Sequence, residues 1–106
     1  MLLIDDDDEL PEVPSPEEEE VELAEQLGVD GLNAIDAALL AWTERTQHKV
    51  ARIVARALDA GGFLPSDDYI ELHVRRFINL ARAGKVEVFG DPRKPRFSEA
   101  RLPRKP

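Results

Sequence analysis

The 106-residue chain has no cysteine, and its first 44 residues have no lysine or arginine. Without cysteine it forms no disulfide, gives no thiolate to a metal and carries no thiol nucleophile, a usage that fits a reducing compartment. Long apolar runs are also missing. Met1–Ile4 is cut off at once by Asp5–Asp8, which leaves neither the basic start and apolar core of a signal peptide nor the ~20 apolar residues of a membrane span. The expectation is a soluble, cytoplasmic protein with no membrane partner. Phosphate-loop chemistry is excluded as well: Gly61-Gly62 lacks the following Gly-Lys pattern and sits where a helix should stop.

What is present is charge, sharply divided. Residues 1–44 hold 15 Asp/Glu, while residues 45–106 hold 7 Asp/Glu and all 14 Lys/Arg, so halves of −15 and +7 make up the net −8. Such asymmetry points to an acidic tail or to a surface that meets a charged partner. Residues 1–14 read as a disordered acidic arm, 15–103 as a single helical domain and 104–106 as a basic tail. Asp5–Glu9 repels itself, and Pro11 and Pro14 interrupt any helix. A small core of this size buries only about 60–65% of the unfolded surface, so a partner or a second copy would add to its stability.

Helical periodicity sets in after Ser15-Pro16-Glu17-Glu18, a capping sequence. The first predicted helix carries Val21, Ala24 and Leu27 and ends at Gly28; the second carries Ile35, Ala38, Leu39 and Trp42. Thr46 is the expected cap of a third, with Val50, Ile53, Val54, Ala57 and Leu58 on one stripe and Gly61-Gly62 as its stop. Ser66 caps a fourth whose stripe is Ile70, His73 or Val74, Phe77, Ile78 and Ala81, ending at Gly84. The period then changes from 3.6 to 2. Lys85–Phe89 reads as a strand, Gly90-Asp91-Pro92 as a turn and Arg96–Leu102 as a return strand, with Val86, Val88 and Phe97 expected to pack on the helices. This order predicts a mainly α chain with a C-terminal β-hairpin, similar to a winged helix-turn-helix. A small antiparallel helical bundle with an irregular C-terminal tail is the alternative.

The stretch from Asp36 to Pro103 resembles a small bacterial domain of unknown function. The resemblance rests on Ala38-Leu39-Leu40-Ala41, Trp42, Lys49-Val50-Ala51-Arg52, Gly90-Asp91 and the closing Arg96-Phe97-Ser98-Glu99-Ala100-Arg101-Leu102-Pro103. It implies a helical domain that ends in a strand pair, and it brings no activity and no catalytic residues.

The residues themselves offer two surfaces. Asp5, Asp6, Asp7, Asp8, Glu17, Glu18, Glu19 and Glu20 form the candidate acidic contact region, suited to a basic protein partner. The same arm reads equally as a solubilising tail, or as a tethered mask over the basic half. Arg75, Arg76, Arg82, Arg93, Lys94 and Arg96 are the candidate nucleic-acid-binding set. Against it, Asp67, Asp68 and Glu71 open the helix that would read bases, where they would repel phosphates; the plainer reading has these arginines paired with nearby acids. His48 and His73 lie on different predicted helices, and no carboxylate–histidine pair of the zinc-site kind is expected at either. His73, Trp42 and Tyr69 read as core or core-edge residues, and no metal, cofactor or catalytic set is predicted. The surplus of Leu39, Leu40, Ala41 and Trp42 on one short helix suggests a shared core or a homodimer face. The function expected first is therefore non-enzymatic protein interaction through the acidic N-terminal region. The alternative is weak, non-specific nucleic-acid binding by a basic wing masked by the arm.

Overall fold

Residues 18–103 are described by the structure, a computed structural model; the Ser15 cap, the acidic arm and the basic tail lie outside them. Helix α1 (Glu18–Ala41) spans both of the first two predicted helices. The break expected at Gly28 is there as a kink: this residue leaves helical geometry at φ 69°, ψ −176°. Strand β1 (His48–Lys49), α2 (Val50–Ala60), α3 (Asp67–Arg82), β2 (Glu87–Phe89), a 3₁₀ turn (Pro95–Phe97) and β3 (Glu99–Arg101) follow. The molecule is mainly helical with a small antiparallel sheet in the order β1-β3-β2. Residues 87–101 are thus strand and turn rather than an irregular tail on a bundle.

Helices α2 and α3 stop by the same device. After α2, the Phe63 N–H reaches the Leu58 carbonyl and the Gly62 N–H that of Asp59; after α3, Lys85 reaches Leu80 and Gly84 reaches Ala81, all at 2.9–3.1 Å. These are Schellman closures, with Gly62 and Gly84 as the left-handed residue. Ser66 caps α3 as expected, its hydroxyl accepting from the Tyr69 N–H.

The start of α2 departs from expectation. Thr46 does not cap it; the N-cap is Lys49, and the Thr46 hydroxyl lies 3.1 Å from the His48 ring. The cause is tertiary. His48 and Lys49 pair with Ala100 and Glu99, and the Val50 N–H donates to the Ser98 carbonyl, so the chain is held extended until Val50.

The core gathers Ile35 and Leu39 of α1, the whole predicted stripe of α2, Val88 and Ala100 of the sheet and Val86 just before it around Phe77 and Ile78. Helix α3 buries more than one stripe: Leu72 and Leu80 are inside along with His73, Val74 and Phe77, because α1 packs on its other side. Phe97, expected in the core, is 78% exposed. It ends the 3₁₀ turn rather than belonging to the return strand, which starts only at Glu99, and it is Ser98 and Ala100 that turn inward. Trp42 falls beyond the last turn of α1, 38% exposed under the Arg56 guanidinium, and Thr43 is buried in its place. Of the apolar surplus Leu39, Leu40, Ala41 and Trp42, Leu39 is fully buried and Leu40 packs on the core, while Ala41 and Trp42 are exposed.

Candidate functional site

The acidic first helix packs along α3, and two ion pairs cross between them, Glu20–Arg75 and Asp36–Arg76. Asp5–Asp8 and Glu17 lie outside the described residues. Glu18 and Glu19 are exposed. Glu20 corrects the surface reading: it is 4% exposed and ion-paired with Arg75. Burial pushes its carboxyl above the ordinary 4.5, against the pull of the Arg75 guanidinium, and the charges of Glu71 and Asp68 push the same way. The acidic opening of α3 therefore lies close to that of α1. Glu18, Glu19, Glu22 and Glu25 on α1, with Asp67, Asp68 and Glu71 on α3, remain exposed carboxylates.

The predicted basic set does not form one face. Arg76 clamps Asp36 of α1 through two parallel bonds of 2.9 and 2.7 Å, and this pairing raises the guanidinium pKa further. Arg93 folds back on Asp91 of its own turn at 2.8 Å, which holds that carboxyl below its ordinary value. Arg82 is exposed at the end of α3, and Lys94 and Arg96 are exposed on the loop. Arg75, Arg93 and Lys94 do line a common cleft of about 380 Å³, but Glu71 and Asp91 line it too, over Ile70, Val74 and Ile78. Arg96 lines a different groove, between α2 and the α2–α3 connector. Arg76 borders a third, with Val21, Ala24 and Leu32 of α1.

The histidines bear on chemistry. His73 is fully buried, as a packing residue should be; its Nδ1–H donates to the Tyr69 carbonyl at 2.8 Å and its Nε2 has no hydrogen-bond partner among the described residues. His48 shows what sequence reading passed over. Glu44 lies four residues before it, and the two side chains meet at 3.1 Å. Thr46 also approaches the ring at 3.1 Å, yet both contacts fall on Nε2, so no relay runs from carboxylate through the ring to hydroxyl. Among the described residues no group of three or more His, Cys, Asp or Glu side chains could hold a metal ion, and no helix is long and apolar enough to cross a membrane. Comparison with protein-family models, with curated proteins and with solved structures finds no match to this chain in any of the three.

Proposed function

We propose that this chain is a non-enzymatic protein-interaction domain, of winged-helix type and cytoplasmic, whose acidic N-terminal region meets a basic partner. The observation that carries this reading is the unequal use of charge. Arg75, Arg76 and Arg93 are each held by a carboxylate of the same chain, while Glu18, Glu19, Glu22 and Glu25 stay exposed beside the acidic start of α3. A concentrated negative surface speeds and orients encounter with a positive one. The winged form is supported by the order helix, β1, helix, helix, β2, β3 and by β3 lying between the other two strands. Nucleic-acid binding draws less support, because the carboxylates at the head of α3 stand where phosphates would approach.

The test is a fluorescence-anisotropy titration of the full chain with a labelled oligolysine peptide and, separately, duplex DNA. Glu22→Gln/Glu25→Gln should weaken peptide binding several-fold, roughly 1 kcal/mol, and clearly more than Glu44→Gln/Asp59→Asn, which removes the same charge elsewhere. Equal losses in the two variants, or DNA binding with a steep salt dependence, would refute the proposal.

A further inference from the structure

We propose that the segment Leu2–Asp8 docks on its own domain, in the groove between α2, the α2–α3 connector and the 3₁₀ turn. This goes beyond the partner reading, since α1 and its carboxylates take no part in the seat. The groove has a volume of about 410 Å³, within the ~300–1,000 Å³ of clefts that take ligands. Its floor is apolar, with Ala51, Val54, Ala55 and Leu58 of α2 against Phe63 and Ile70, and its one acidic lining residue, Asp59, stands at the C-terminal end of α2. The apolar surface continues around it. Leu64, 72% exposed, and Phe97, 78% exposed, adjoin in sequence the lining residues Phe63 and Arg96. Large side chains left open around a groove mark a surface that something covers.

One end of the groove is basic. Arg96 lines it, and the Lys49 ammonium donates to the Arg96 carbonyl at 3.0 Å, which brings a second positive charge to the 3₁₀ turn. Arg52 is exposed one turn before Ala55 and Arg56. No acid lies in the first turn of α2 and no side chain caps it, so the positive end of its dipole adds to the same region. An occupant should therefore be aliphatic and then strongly acidic. Leu2-Leu3-Ile4-Asp5-Asp6-Asp7-Asp8 has that order, and it occurs once in the chain. Reach is ample. Residues 9–17 link the segment to Glu18, and nine residues extend to roughly 30 Å at 3.3–3.6 Å each, against a longest molecular dimension of 36 Å. The tether starts nearby, because Glu20 senses Asp68 of α3, two residues from the lining Ile70. At the millimolar effective concentration of such a tether, a few aliphatic contacts and ion pairs suffice.

The absence of cysteine makes the test direct. In the full chain, Leu3→Cys is combined with Ala55→Cys, an exposed groove position, or with Asn33→Cys, an exposed position on α1, and disulfide formation under diamide is timed. The groove pair should close roughly tenfold faster than the control pair, and changing Asp5–Asp8 to Asn should bring the two rates together. Equal rates for the two pairs overturn the proposal. So does a groove cross-link that forms between molecules and rises with protein concentration, which would make a second copy the source of the segment.

Discussion

His73 is an imidazole shut off from bulk solvent, whose Nδ1–H is bonded to the Tyr69 carbonyl and whose Nε2 has no partner among the described residues. Burial holds its pKa below the ordinary 6.5, against the Tyr69 carbonyl, which raises it. Between those two values the unfolded chain binds a proton that the folded chain refuses, so stability rises with pH across this window. The stabilisation is complete above 6.5 and is lost as pH falls through that value toward the folded one. Urea unfolding should therefore give a lower midpoint at about pH 5.5 than at pH 7.5, and His73→Leu should flatten the difference. An equal pH dependence in both proteins would disprove it. Glu20 works with the opposite sign. Its carboxyl is raised above 4.5, so its contribution is full below 4.5 and is lost as pH rises through the folded value. Residue by residue, burial was legible where periodicity was strong, as at Ile53 and Phe77. It was illegible at Phe97, where hydrophobicity argued for the core and a 3₁₀ turn in place of the expected strand leaves the ring in solvent.

At the scale of elements, α2 and α3 were readable because a single apolar stripe and a glycine stop are local facts. Strand β1 was not, since two residues carry no period and exist as a strand only through pairing with Ala100 and Glu99. The same pairing displaced the expected cap from Thr46 to Lys49. Gly28 was read correctly as a break, yet the two halves of α1 run on through it. Its φ of 69° with ψ near 180° belongs to a region essentially confined to glycine. Space is not the obstacle, since a Cβ there would meet nothing within 4 Å. Gly28→Ala thus sets helix propensity against backbone strain. Strain should win, lowering unfolding free energy by about 1–3 kcal/mol although alanine is the better helix former. A stabilised variant would mean that α1 straightens without losing its packing on α3.

For the molecule as a whole, the division of charge along the sequence becomes a seam across the fold. Arg75 and Arg76 lie off the stripe of Ile70, Phe77 and Ile78, so the sequence offered either a phosphate face or pairing with acids for them. The single stripe accounts for one buried face of α3, and the helix has a second, against α1, where both arginines meet carboxylates. The Glu20–Arg75 pair is mostly withdrawn from water, so its parts are worth more together than apart. Glu20→Leu alone should cost about 1–3 kcal/mol by leaving Arg75 without its counter-charge, and Glu20→Leu/Arg75→Met should recover most of that loss. Additive losses in this cycle, measured by urea unfolding, would show the two side chains to be uncoupled.

The position of β3 between β1 and β2 also fixes a sequence in time. Lys49 and its partner Glu99 are about 50 residues apart, so on a ribosome adding 5–20 residues each second one strand waits roughly 3–10 s for the other. β2 is made only about ten residues before β3, and until the middle strand arrives neither outer strand has its partner. The helices have time to find one another first, and the sheet then closes over them in a single event when the middle strand arrives.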